Sequence, residues 1–80
     1  MSTDTATIES FFVKSLRELG VDADEIAPET TFEALDVDSL DLAELGQMVE
    51  EEFGIKITGG DVAALKSVGD AIALVQERTA

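Results

Sequence analysis

The sequence predicts an all-α domain, a four-helix bundle with three longer helices, a short third helix and a long first loop. Three observations predict it. Apolar residues recur at helical spacing in three separate segments. The four aromatics are all Phe (Phe11, Phe12, Phe32 and Phe53), so the core falls mainly to Leu, Ile, Val and Ala, a composition that favours packed helices. The one run that alternates like a strand, Ile55-Lys56-Ile57-Thr58, has no second run to pair with. Eighty residues, 45% of them hydrophobic, with a mean hydropathy of +0.15, allow a single folded domain over residues 1–80 with a small core.

From Thr7, the residues Ile8, Phe11, Phe12, Leu16 and Leu19 form the first helical stripe, and Gly20 supplies its stop. Residues 20–37 hold the only proline, Pro28, and no stripe long enough for a full helix. They make an unusually long connection, which must be pinned to the core. Val21, Ile26, Phe32 and Leu35 are its anchors, with a short helical turn near Asp22 to Ile26. The second helix runs from about Ser39 to Phe53, burying Leu42, Leu45, Val49 and Phe53. Asp38 or Ser39 caps it, and Asp41 sits in its first turn, where the helix dipole favours negative charge. Gly46 costs roughly 1 kcal/mol in a helix interior, so a packing or partner constraint is expected there. After the extended connector 55–58, Gly59-Gly60 breaks the chain, and Gly60 or Asp61 caps a short helix through Leu65. Ser67 caps the last helix, whose inward stripe is Val68, Ala71, Ile72 and Val75, with fraying after Glu77.

Five Lys and Arg stand against eighteen Asp and Glu, a net charge of −13. Such a charge repels nucleic acid and anionic membranes and attracts basic protein surfaces. With no Cys, disulfide and thiolate chemistry are absent; with no His, the commonest general base and metal ligand is missing. Met1 to Thr5 lacks the features of a signal peptide, and no apolar run approaches the roughly 18 residues of a membrane span. A cytoplasmic protein is expected.

The tetrad Asp38-Ser39-Leu40-Asp41 places one hydroxyl where a loop becomes an acidic, amphipathic helix. A calcium loop begun at Asp36 fails in register: its fifth position is Leu40, its glycine position Asp41 and its bidentate Glu position Gln47. A hydrolase nucleophile fails because a Ser-His-Asp triad needs His and the G-x-S-x-G elbow is absent. Spacing alone leaves two readings of Ser39: a simple helix cap, or an attachment point.

The surroundings bear on that choice. Leu35-Asp36-Val37-Asp38-Ser39-Leu40-Asp41, then Glu44-Leu45, Val49-Glu50-Glu51-Glu52-Phe53-Gly54-Ile55-Lys56-Ile57 and Leu65-Lys66-Ser67-Val68-Gly69-Asp70-Ala71-Ile72, strongly resemble the acyl carrier proteins of fatty-acid and polyketide synthesis. The resemblance implies a carrier that is not itself an enzyme. Ser39 would take a 4'-phosphopantetheine arm from coenzyme A through a magnesium-dependent phosphopantetheinyl transferase, with Asp38 helping to position the metal and Leu40 touching the transferase or the arm. The arm's thiol would hold acyl intermediates as thioesters, so the cofactor brings the reactive atom that a chain without Cys lacks. Asp41, Glu44, Gln47, Glu50 and Glu51 would meet basic patches on acyltransferase, ketosynthase and related enzymes. Leu45, Val49, Ile57, Val62, Leu65, Val68 and Ala71 would line the acyl-chain cleft, and the carrier would act as a monomer.

The chain departs from the family pattern in places. Asp36 stands where many members have Gly, and Gln47 where Met is common. Thr58-Gly59-Gly60-Asp61 replaces a Pro and an acidic cluster, and the Phe32 to Leu35 spacing is one residue short. Two alternatives stay open: a carrier of aminoacyl or peptidyl groups, which more often shows Gly-His-Ser or Gly-Gly-x-Ser and less acid, and an unmodified acidic interaction module.

Overall fold

A computed structural model describes residues 4–79, which form four α-helices: α1 (Thr5–Glu18), α2 (Ser39–Phe53), α3 (Gly59–Ala64) and α4 (Val68–Thr79). The first three residues of Met1 to Thr5, the segment without signal-peptide features, lie outside the described residues. α1 packs on α4 and α2, α2 also packs on α4, and the short α3 packs on α2.

α1 begins two residues before the expected Thr7, because Asp4 caps it by accepting from the Thr7 N–H at 2.8 Å. Ile8, Phe12 and Leu16 are its buried stripe, with Phe11 and Leu19 half-buried on the flank. Gly20 ends it at φ 96°, a left-handed conformation that lets Val21 N–H reach the Leu16 carbonyl and Gly20 N–H the Arg17 carbonyl. Phe11 and Phe53 meet edge to face at 5.0 Å and join α1 to the end of α2.

The long loop contains the expected short turn, a 3₁₀ turn over Ala23–Glu25 capped by Asp22. It also holds a second turn that the sequence pattern does not show. Thr31 Oγ1 accepts from Ala34 N–H at 3.1 Å; Asp36, at φ 59°, then closes the turn, with Val37 N–H on the Phe32 carbonyl and Asp36 N–H on the Glu33 carbonyl. This is a Schellman closure around a non-glycine residue, of a side-chain type that tolerates the left-handed region. It buries Phe32, Leu35 and Val37 together.

The loop is pinned by the start of α4. Val68 N–H donates to the Thr30 carbonyl at 2.9 Å and Gly69 N–H to the Pro28 carbonyl at 2.7 Å, while Phe32 N–H donates to Lys66. A helix leaves its first N–H groups without internal partners, and here the loop carbonyls satisfy two of them. Ser67 and Asp70 satisfy each other's backbone N–H groups in a capping box, as Ser67 was expected to cap this helix. Val68, Ala71, Ile72 and Val75 are all buried, as their spacing requires.

Two expectations about the second half of the chain are corrected. Gly59-Gly60 does not break the chain but forms the first turn of α3, whose cap is Thr58 rather than Gly60 or Asp61. Thr58 Oγ1 accepts from Asp61 N–H at 3.1 Å and the Asp61 carboxylate accepts from Thr58 N–H at 3.0 Å, so Thr58-x-x-Asp61 is a capping box. α4 runs on to Thr79 instead of fraying after Glu77, because Arg78 in its last turn is tied to Asp61 and to the Lys56 carbonyl. The connector 55–58 is extended and unpaired, as expected; among the described residues the sole β-type pairing is one antiparallel bridge, Thr31 to Ser67.

Candidate functional site

α2 starts where predicted, and the structure separates the roles of the two residues at its start. Asp38 is the cap: its Oδ1 accepts from Asp41 N–H at 2.9 Å. The reading of Ser39 as a simple cap is therefore corrected. Ser39 is the first helical residue, it is exposed, and its hydroxyl makes no hydrogen bond to the described residues. The first backbone N–H groups of α2, those of Ser39 and Leu40, also find no partner among them. A reachable hydroxyl beside unpartnered N–H groups at the positive end of a helix suits a phosphate ester, whose negative charge the dipole and the N–H groups both favour.

Leu40, at 74% exposure, is a large apolar side chain left in solvent beside that hydroxyl. It stands at one end of a groove of about 390 Å³ between α2 and α3, lined also by Ala43, Gly46, Gln47, Ile57 and Val62. Glu44 and Gln47 are exposed on α2, as is Glu51, and Asp41 is half-buried. Glu50 differs from its neighbours: its Oε2 accepts from Ile57 N–H at 2.7 Å and so holds the connector against α2. Nothing in the acidic pattern of the sequence distinguishes that carboxylate.

Beneath the groove lies an apolar void of about 10 Å³. Of the residues expected to form a cleft, Leu45, Val49, Ile57, Leu65 and Ala71 line it. Val62 faces the outer groove instead, and Val68 is buried in the core away from the void. Phe12, Leu42, Leu74 and Val75 complete the lining. Gly46 borders both spaces, which answers the expectation of a constraint at this position.

The Arg78 guanidinium clamps α3 from the far side, donating to both Asp61 carboxylate oxygens at 3.1 and 2.9 Å. This fork, followed by the Thr58 backbone and side-chain hydrogen bonds, holds the Asp61 carboxyl down at about 2. The stabilisation from the ionised carboxylate is present above the 3.8 of an unperturbed Asp and is lost as pH falls from there through about 2. The amides of Thr58, Gly59 and Gly60 are expected to lose their structured NMR shifts over that interval. In Asp61→Asn they should be displaced already at neutral pH. A flat acid profile would count against the clamp.

The profile of the family described as the phosphopantetheine attachment site matches residues 16–75. An acyl carrier protein of Streptococcus thermophilus is 45% identical over 80% of this chain and 84% of its own length. The chain belongs to the acyl carrier protein family. A second acyl carrier protein, from Nitratidesulfovibrio vulgaris, is 48% identical over 76% of this chain and 82% of its own. A meromycolate extension acyl carrier protein of Mycobacterium tuberculosis is 41% identical over 72% of this chain, but over 51% of its own longer sequence. The chain is thus a phosphopantetheine-dependent carrier of fatty-acid or polyketide type that works with biosynthetic enzymes. Among the described residues, no helix of this acyl carrier protein is long and apolar enough to cross a membrane.

Proposed function

We propose that Ser39 is the residue of this carrier that receives the 4'-phosphopantetheine arm. The observation that carries the reading is the division of labour at the start of α2: Asp38 caps the helix, and the Ser39 hydroxyl is left exposed and uncommitted beside the Ser39 and Leu40 N–H groups. A phosphopantetheinyl transferase is the expected partner for loading, with Asp38 and Leu40 at its contact. The arm, once attached, supplies the thiol that holds an acyl group as a thioester. Incubation with coenzyme A and a broadly acting transferase should add about 340 Da to the intact mass, the mass of the arm. No gain would defeat the assignment.

The remaining parts of the reading rest on composition and surface. Residues 1–80 act as one carrier domain, monomeric and cytoplasmic, modified and used by separate enzymes and not catalytic in itself. Support comes from the single core and from the absence of His and Cys. Acyltransferase and ketosynthase partners would recognise Asp41, Glu44, Gln47 and Glu51 through basic patches. Contacts between exposed charges form fast and are screened by salt, which suits a shuttle that must leave each partner.

Glu50 sits on the same face, but its hold on Ile57 makes it a poor probe of docking. Glu44→Lys with Glu51→Lys reverses two exposed charges without touching the connector. The double variant should lower kcat/KM of a partner enzyme for the carrier by about tenfold at low ionic strength, with the deficit shrinking as salt rises. Equal kinetics at low salt would remove the docking role.

A further inference from the structure

A groove of about 460 Å³ opens between α1 and the last turns of α2, within the size range of ligand sites. Its apolar lining comes from Phe11, Met48 and Phe53, all half-buried, and its charged lining from Glu18, Glu51 and Glu52 against Lys14 alone. Three carboxylates facing one ammonium leave it net negative. None of these charges is paired, since the sole salt bridge among the described residues joins Arg78 to Asp61.

Ser15 supplies the observation that points to an occupant. It lines the same groove, it is the only polar residue buried among the described ones, at 2% exposure, and its hydroxyl bonds to none of them. A helical hydroxyl commonly turns back on a carbonyl of the preceding turn, as Thr79 does on Val75. Since no fully enclosed side-chain oxygen or nitrogen in the described fold lacks a partner, the Ser15 oxygen is not sealed in the core but opens on the groove it lines.

An arginine side chain meets this set of groups. Its aliphatic stem packs on Phe11, Met48 and Phe53, its charge is drawn to the carboxylates and the rings, and its five N–H donors leave one for Ser15. Lysine, a compact point charge, fits less of the set. Past Glu18 and Met48 the groove continues into a depression of about 250 Å³ bordered by Leu19, so it accommodates a length of chain and not one amino acid. A second copy of this protein, at a net charge of −13, is repelled.

The groove lies apart from the Ser39 end. A rise of about 1.5 Å per residue puts Glu52 roughly 20 Å along α2 from Ser39, and neither Leu40 nor the α2–α3 groove belongs to this surface. We propose that the α1–α2 groove is a docking site for an arginine-bearing segment of a partner protein, occupied while the Ser39 end stays free.

The test uses the unmodified full chain, labelled with ¹⁵N, and a blocked eight-residue peptide of alternating arginine and leucine at low ionic strength. The peptide should bind saturably and shift the amides of Phe11, Ser15 and Met48, leaving those of Leu40 and Val62 in place. Glu18→Gln with Glu52→Gln should weaken binding about fivefold or more, whereas Glu33→Gln with Glu77→Gln, exposed charges that do not line the groove, should change it less than about twofold. Ser15→Ala should weaken it about threefold, and citrulline in place of each arginine about tenfold. The site is overturned by lack of saturable binding, by equal losses in the two glutamate pairs, or by shifts centred on Leu40 and Val62. Equal binding of the citrulline peptide would overturn the arginine, and equal binding of free arginine would overturn the segment.

Discussion

Ser39→Ala is expected to abolish attachment of the arm and to leave Tm almost unchanged. The first half follows from chemistry, because the phosphate ester needs the hydroxyl oxygen and alanine has none. The second follows from the structure, because the Ser39 hydroxyl bonds to none of the described residues and the cap of α2 belongs to Asp38. An exposed substitution of this kind is expected to shift stability by no more than about 0.5 kcal/mol. Asp38→Ala gives the contrasting result: it removes the acceptor of the Asp41 N–H and costs about 1 kcal/mol, roughly 4–8 °C of Tm in a domain of this size. Intact mass and thermal melts of the two variants, measured side by side, test the proposed attachment role of Ser39 separately from the capping role of Asp38. A mass gain that persists in Ser39→Ala would place the arm elsewhere, and a large loss of Tm in that variant would restore Ser39 as a structural cap.

Gly69→Ala is expected to be strongly destabilising, although alanine is the better helix former. A Cβ at this position would fall 2.8 Å from the Pro28 carbonyl oxygen, which already accepts the Gly69 N–H at 2.7 Å. The obstacle is backbone, so no side-chain rotation relieves it. Either the loop lifts from α4 or the helix start shifts, and the hydrogen bonds of Val68 and Gly69 to the loop weaken with it. Such overpacking costs about 2–3 kcal/mol, out of a total of roughly 4–12 kcal/mol for eighty residues, and should lower Tm by about 10 °C or more. Gly60→Ala serves as the control, since its Cβ would meet only Thr58 Oγ1 at an ordinary 3.7 Å. The same substitution should there be neutral or slightly stabilising. Equal Tm values for the two variants would show that the loop does not press on α4.

The contrast between these glycines marks how far the sequence could be read. The bounds of α2 and the buried stripe of α4 were legible because hydrophobic spacing and capping residues act within a few residues of one another. The cap of α3 was open to the same logic, since Thr58-x-x-Asp61 is a local signature, but the glycine pair between its ends read as a break. The turn around Asp36 was not legible: it needs an aspartate at positive φ, and it is tied to the fold by the Phe32 N–H on the Lys66 carbonyl and by the Thr31–Ser67 bridge, more than thirty positions along the chain. Glu50 and Glu51 are indistinguishable in sequence, yet only Glu50 holds the connector.

By itself, the sequence determined the helical class, the start of α2 and the tetrad that carries the candidate attachment residue, because helix periodicity and the chemistry of a hydroxyl in an acidic setting are local properties. Only the tertiary structure decided that Asp38 and not Ser39 caps the helix, that Gly46 borders both a surface groove and the core, and that Gly69 has a carbonyl pressed against it. The first is a choice between two neighbouring residues that can both cap a helix, which local pattern leaves open; the other two depend on which atoms meet across the fold, and neither spacing nor composition encodes a distance between residues far apart in the chain.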